Sequence, residues 1–118
     1  MEITDLGKVA VVYVRDNLDW FSISELRSKV ITLMAQERKD IVLDLAEAKY
    51  IDSYGIGVLV FLTELLRRHA RTLKFTGMRP STIAMIERSH PSLPLRKSLE
   101  DVWEIYDNLG QAVASVGS

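Results

Sequence analysis

The sequence contains no cysteine, no marked excess of one charge and no long apolar run. Without cysteine, disulfide bonds and thiolate chemistry are excluded, which is typical of proteins in a reducing compartment. Lysine and arginine total 15 against 16 aspartate and glutamate, so there is no basic excess of the kind that nucleic-acid binding requires. No segment reaches the ~18 consecutive apolar residues of a membrane helix, and the acidic N-terminus is unlike a signal peptide. We therefore expect a cytoplasmic protein without membrane insertion.

The chain has 118 residues, of which 47% are hydrophobic, and this suits one domain with a substantial core. Short β-branched segments alternate with segments of helical period, which predicts an α/β fold with at least some parallel strands. The predicted strands are residues 1–4, 9–14, 41–45 and 73–76, with a turn at 5–7 between the first two. The predicted helices are residues 22–36, 53–71, 80–88 and 98–109, and residues 110–118 are predicted to fray.

The first predicted helix is amphipathic. Its apolar residues fall on one face, which we expect to be buried: Ile23, Leu26, Val30, Leu33 and Met34. Ser22 and Glu25 have the spacing of a capping box, so the Ser22 side chain is predicted to cap the helix start.

The most informative segment lies between residues 41 and 60. A buried strand is followed by Tyr50-Ile51-Asp52-Ser53-Tyr54-Gly55-Ile56-Gly57 and then by the second long helix. Asp52 suits the N-cap position, which makes Ser53 the first helical residue, at a helix end whose first N–H groups lack intrahelical partners. Gly55 and Gly57 would leave the first turn open to something that approaches closely.

The orientation of this helix follows from a rotation of about 100° per residue. One face collects Val58, Phe61, Leu62 and Leu65, flanked by Leu59 and Leu66, and we expect this face to pack on the core. Ile56 and Val60 then project with Ser53 to the opposite side and are expected to be rather exposed. Such an apolar pair beside a hydroxyl indicates either a docking surface or contact with a neighbouring loop, and helix geometry alone favours neither.

Ser53 has three interpretations. The first, which the pattern alone favours, is a helix-start serine that satisfies backbone N–H groups. The second is a catalytic nucleophile, which needs a base; His69 lies about four turns along the same helix and His90 is expected in a surface loop, so this is disfavoured. The third is a phosphorylation site, because a phosphate is electrostatically favourable at a helix N-terminus and would add ~1.5–2 negative charges to the surface.

Other sites of chemistry are weakly indicated. Gly55-Ile56-Gly57 is only a fragment of a dinucleotide fingerprint, and the two histidines have no ligand spacing for a metal. Asp44 and Asp52 are better explained as a strand-end residue and a helix cap than as a catalytic pair. We therefore expect no cofactor, no metal and no catalytic residue. Arg67, Arg68, His69 and Arg71 form a basic cluster that is expected to be a solvated face.

The segments 41–45 and 50–59, with the sequence Asp52-Ser53-Tyr54-Gly55-Ile56-Gly57, resemble the signature of the STAS domain family. The resemblance continues through residues 73–80 and 98–102 and covers nearly the whole chain. It implies a single STAS-type domain over residues 1–110, with a mixed β-sheet and helices packed mainly on one side, followed by a flexible tail at 111–118.

The small members of this family that are best known are anti-sigma-factor antagonists, which are binding modules and not enzymes. The resemblance implies that Ser53 is phosphorylated by a partner anti-sigma factor serine kinase, that the unphosphorylated form binds this kinase, and that a PP2C-type phosphatase resets the switch. The residues expected to contact partners are Asp19, Asp52, Tyr54, Gly55, Ile56, Gly57 and Val60.

Trp20 and Phe21 are bulky for the loop that the family has at this point, and they are expected to be core plugs rather than partner contacts. The alternative function keeps the fold but removes the switch. In that case the protein is a constant STAS subunit or scaffold of another complex, such as a lipid transporter, and Ser53 never carries phosphate.

Overall fold

The computed structural model describes residues 1–81, 83–84, 104–106 and 109–114, which form one α/β unit. Within these residues no helix is long and apolar enough to cross a membrane. The elements in chain order are β1 (Glu2–Asp5), β2 (Val9–Tyr13), α1 (Ile23–Ala35), β3 (Asp40–Asp44), α2 (Ser53–Arg68), β4 (Leu73–Thr76), β5 (Glu104–Tyr106) and α3 (Leu109–Ala114).

The five strands form one mixed sheet in the order β1-β2-β3-β4-β5. β1 pairs antiparallel with β2 through a tight turn, in which Gly7 has a φ of 90° and the Leu6 N–H donates to the Val9 carbonyl at 2.9 Å. The remaining neighbours are parallel, with α1 connecting β2 to β3 and α2 connecting β3 to β4. The predicted mixed α/β sheet is confirmed.

The main core lies between the sheet and the helices α1 and α2. Alternate strand residues face these helices, and this set comprises Ala10, Val12, Ile41, Leu43, Leu73 and Phe75. All five residues predicted to form the buried face of α1 are buried. The predicted capping box is wrong, however, because the Ser22 side chain makes no cap hydrogen bond.

The opposite face of the sheet is covered by α3. Ala112 of this helix is fully buried against Val9, Val11 and Val42, and Leu109 and Val113 pack beside it. The predicted domain boundary at residue 110 therefore falls inside a helix, and residues 111–114 are not a tail. Since α1 and α2 share one face and α3 lies on the other, the helices are packed mainly on one side, as the family resemblance implies.

The predicted helix over residues 98–109 is wrong where the structure describes it. Residues Glu104–Tyr106 form a strand that pairs in parallel with Lys74–Thr76 and extends the sheet by one strand. A strand of three residues is too short to display a period of two, so the helical spacing of nearby apolar residues dominated the pattern. Residues 98–103 and 107–108 lie outside the described part of the chain.

Two further predictions concern chain segments near the end of the sheet. The predicted helix over residues 80–88 has helical backbone at residues 80, 81, 83 and 84, and its other residues lie outside the described ranges. The predicted end of β4 at Gly77 is confirmed. Gly77 has a φ of 79°, and a Cβ atom at this position would lie 2.5 Å from the backbone nitrogen of Ala46.

We predict that Gly77→Ala destabilises the protein far more than Gly7→Ala. Both glycines have positive φ, which costs an L-residue roughly 1–2 kcal/mol. Only Gly77 is also pressed against backbone, whereas a Cβ at Gly7 would meet no atom within 4 Å. The measurement is the free energy of unfolding from urea denaturation of both variants. Equal losses for the two substitutions would show that the contact with Ala46 does not constrain the fold.

Candidate functional site

The site is built where the loop before α1 meets the segment before α2. The Leu18 N–H donates to the Tyr50 carbonyl at 2.9 Å, and the Asp52 N–H donates to the Leu18 carbonyl at 3.1 Å. Leu18 and Ile51 form a parallel bridge, and both side chains are fully buried. This pairing holds the start of α2 at a fixed position relative to the loop that leads into α1.

Asn17 reinforces the same junction, and the sequence analysis assigned it no role. Its side-chain Oδ1 accepts hydrogen bonds from the backbone N–H groups of Lys49 at 3.1 Å and Tyr50 at 3.0 Å. Asparagine commonly bonds to backbone groups in turns, but this contact joins segments more than 30 residues apart in sequence. No local pattern could therefore have identified its partners.

Asp52 caps α2 as predicted. Its backbone is extended, and its Oδ1 accepts a hydrogen bond from the Gly55 N–H at 2.7 Å, while its carbonyl accepts the first helical bond from Ile56 at 3.0 Å. Ser53 is exposed as the first residue of the helix. The N–H groups of Ser53 and Tyr54 make no hydrogen bond to any residue that the structure describes, so this helix end retains two donors that can face an anion.

Position 55 has room only for glycine, because the backbone of the same chain lies against it. A Cβ atom at this position would lie 2.7 Å from the Leu18 carbonyl oxygen, which is closer than real Cβ contacts occur. Gly55 is also buried, so it does not lie on the surface where partner contact was predicted. Gly57 is different, because it is exposed and a Cβ there would meet nothing within 4 Å. The sequence predicted that something approaches the backbone closely at these glycines. At Gly55 it is the Leu18 carbonyl of the same chain, whereas at Gly57 the surface is open.

The predicted orientation of α2 is wrong by part of a turn. Its buried residues are Gly55, Ile56, Leu59, Leu62, Thr63 and Leu66. Ile56 is only 1% exposed and cannot present its side chain to a partner, whereas Phe61, predicted to be core, is 50% exposed. Val60 is half-buried. The reason is that nearly every position between residues 54 and 62 is apolar, so hydropathy does not fix the rotation of the helix; the Gly55–Leu18 contact does.

The surface beside Ser53 is consequently formed by other residues than the predicted Ile56 and Val60. It is a shallow depression of about 330 Å³ between α1 and α2. Its lining comprises Arg27, Ser53, Tyr54, Gly57, Val58 and Phe61, which we call the α1–α2 depression. Tyr54 and Gly57 are exposed in the place that the sequence predicted for partner contact.

Trp20 and Phe21 are exposed, so the prediction that they plug the core is wrong. They are 62% and 73% exposed, and their ring centroids lie 4.5 Å apart. Tyr50 and Tyr54 are also exposed on the segments that flank the Leu18–Ile51 bridge. Large exposed aromatic side chains of this kind are the residues that protein interfaces favour.

Asp19 begins the turn that leads into α1. Its Oδ1 accepts hydrogen bonds from the backbone N–H groups of Phe21 and Ser22, both at 3.0 Å, and so holds the turn that precedes α1. Bonds from the Ser22 and Phe21 N–H groups lower the pKa of the Asp19 carboxyl below its usual value, although desolvation opposes them. The carboxylate is therefore charged at neutral pH. Asp19 is half-buried and follows Leu18 in the chain.

No base suited to activating Ser53 as a nucleophile lies at the helix start within the described residues. The Asp52 carboxylate is bonded to the Gly55 N–H, and His69 is at the opposite end of α2, where its Nδ1 lies 2.9 Å from the Leu65 carbonyl. His90 lies outside the described residues. In the described part of the chain no three His, Asp or Glu side chains are grouped as a metal site would require.

We predict opposite effects for alanine at the two glycines of the first turn of α2. Gly57→Ala should stabilise the protein by up to about 1 kcal/mol, because alanine is the better helix former and the position is open. Gly55→Ala should destabilise it by roughly 1–3 kcal/mol, because its Cβ would push the Leu18 carbonyl away. Urea denaturation of both variants measures the difference. A Gly55→Ala protein as stable as Gly57→Ala would refute the role given to the Leu18 contact.

Comparison with solved structures agrees with this fold. The Thermotoga maritima protein TM1081 superposes with a TM-score of 0.81 at 17% identity, over 99% of this chain and 94% of its own. An anti-sigma factor antagonist from Mycobacterium paratuberculosis gives 0.78 at 20% identity, over 99% and 92%. The anti-sigma factor antagonist SpoIIAA in its unphosphorylated form gives 0.71 at 14% identity, over 96% and 93%.

SpoIIAA, a Bacillus cell fate determinant, is also known in its phosphorylated form, which gives a TM-score of 0.71 at 17% identity, over 98% of this chain and 97% of its own. At these identities the likeness concerns the fold. Family membership is decided by the sequence, since the STAS domain family model matches residues 1–112, nearly the whole chain. The chain therefore belongs to the STAS domain family.

Proposed function

We propose that this protein is a bacterial anti-sigma factor antagonist that acts in the cytoplasm by binding an anti-sigma serine kinase. In this proposal phosphorylation of Ser53 by the kinase ends the binding and so regulates transcription. The observation that carries the proposal is the position of Ser53. It is exposed as the first residue of α2 and lies at the rim of the α1–α2 depression. The solved anti-sigma factor antagonists of the same fold, one of them in a phosphorylated form, support it.

The modification is a phosphoryl transfer in which this chain supplies only the hydroxyl. The Ser53 Oγ would form a bond to the γ-phosphorus of ATP held by the kinase, the bond from that phosphorus to the β–γ bridging oxygen would break, and ADP would leave. The hydroxyl proton would pass to a base of the kinase. A PP2C-type phosphatase would reverse the change by hydrolysis, with water as the nucleophile and inorganic phosphate as the product. The chain thus acts as a binding module and phosphoacceptor and not as an enzyme.

The fold should tolerate the phosphate. The Asp52 side chain already bonds to the Gly55 N–H, which leaves the Ser53 and Tyr54 N–H groups to face the new charge at the positive end of the helix dipole. The surface changes much more, because ~1.5–2 negative charges would stand at the edge of an apolar depression. A partner that covers Tyr54 and Phe61 would have to bury that charge, and its affinity would fall.

We predict that the cognate kinase and ATP place phosphate on Ser53. Purified protein is mixed with each serine kinase of this class from the source genome, and the modified residue is identified by mass spectrometry. Phosphate on other residues with Ser53 unmodified, or no phosphate with any kinase, would overturn the switch. It would favour a STAS subunit or scaffold that does not switch, such as one within a lipid transporter.

The affinity of Ser53 variants for that kinase is a second prediction, measured with the same purified proteins. Ser53→Asp should weaken binding by about tenfold or more, since a charge would be buried at the interface, whereas Ser53→Ala should bind as the unmodified protein does. Ser28→Ala is the matched control, because Ser28 is an exposed helical serine on α1. Equal affinities of Ser53→Asp and Ser53→Ala would contradict a switch based on charge.

A further inference from the structure

Arg27 is the one charged side chain among the described residues that line the α1–α2 depression. It extends from the exposed surface of α1 on the side that faces α2, and it shares the depression with Ser53 at the start of α2. The other lining residues are Tyr54, Gly57, Val58 and Phe61, none of which carries charge. A cation and the hydroxyl that accepts phosphate thus face the same small volume of solvent.

Arg27 differs in its pairing from Lys29 and Arg67, which form ion pairs within their own helices. Lys29 of α1 lies 3.8 Å from the Glu25 carboxylate, and Arg67 of α2 lies 3.5 Å from the Glu64 carboxylate. Arg27 forms no ion pair with any of the residues that the structure describes. Its guanidinium is therefore available to an anion, and guanidinium groups bind phosphate with two parallel hydrogen bonds.

Gly57 leaves space for such a contact. It lies one turn after Ser53 on the exposed side of α2, and a Cβ there would meet no atom within 4 Å. The part of the depression beside Gly57 is therefore not filled by any side chain that the structure describes. The nearest carboxylate in sequence, that of Asp52, already accepts the Gly55 N–H and caps the helix.

We propose that Arg27 is the intramolecular counterion of phosphorylated Ser53 and that their pairing closes the α1–α2 depression. The inference rests on the proposed function, since it concerns the phosphorylated form. It adds a second component to the switch. Besides introducing negative charge, the phosphate draws the Arg27 side chain across the depression, so that Val58 and Phe61 are covered and the docking surface is removed.

The test uses full-length protein in which phosphoserine is incorporated at position 53 during translation, so that no kinase is needed. The pKa of the phosphate is measured by ³¹P NMR in this protein and in its Arg27→Gln and Lys29→Gln variants. A free phosphoserine loses its second proton near pH 6, and a paired guanidinium lowers that pKa by favouring the dianion. The helix N–H groups also lower it, but equally in all three proteins.

Arg27→Gln should raise the phosphate pKa by about 0.5–1 unit, whereas Lys29→Gln, which removes the same charge from the same helix, should raise it by less than half as much. In addition, the Arg27 Nε–H resonance should shift on phosphorylation in the ¹H–¹⁵N spectrum. Equal pKa changes in the two variants, or an Arg27 resonance that does not move, would overturn the pairing. Failure of every kinase to modify Ser53 would overturn the proposed function but would leave this measurement decisive for the pairing.

Discussion

The contact between Gly55 and the Leu18 carbonyl fixes most of what this surface can do. Because only a hydrogen atom fits between the α2 backbone and this oxygen, the first turn of α2 is pressed against the loop before α1. The Asp52 N–H bonds to the same carbonyl, and the buried Leu18–Ile51 bridge continues the junction. The rotation of α2 is set here, so Ile56 turns toward the core while Ser53 and Phe61 turn toward solvent.

The same junction separates the stability of the fold from the chemistry of the surface. Asp52 holds the helix start through the Gly55 N–H, and the core beneath is formed by residues such as Leu59 and Leu66. Ser53 takes part in neither. A charge added to Ser53 therefore acts on solvent-facing groups, which are the free N–H donors, the α1–α2 depression and Arg27. Such an arrangement suits a modification that must change binding without unfolding the protein.

The sequence predicted those features that depend on local pattern. The buried face of α1, the Asp52 cap and the end of β4 at Gly77 have clear signals in period, capping residue and glycine, and the structure confirms each of them. The rotation of α2 had no such signal, because apolar residues surround it on nearly all sides between residues 54 and 62. It is set by a contact between residues 18 and 55, which a helical wheel does not contain.

Tertiary context also decides the remaining differences. Ala112 is buried because the second face of the sheet needs cover, although the residues around it are small and weakly patterned. Trp20 and Phe21 are apolar enough for a core, yet the Asp19 turn directs them into solvent. Tyr54 and Phe61 are likewise aromatic side chains that the packing of α2 leaves exposed to solvent. The exposed aromatic side chains on this side of the molecule could be recognised only once the positions of α1 and α2 were known.

The most direct test of the account compares ¹H–¹⁵N spectra of the protein with serine and with phosphoserine at position 53. We expect large changes only at the start of α2, in the Arg27 region and in the loop around Leu18, and we expect no fall in the melting temperature. Changes spread through the core residues of the sheet, or a marked loss of thermal stability, would contradict the claim that Ser53 can carry a phosphate while the fold stays intact.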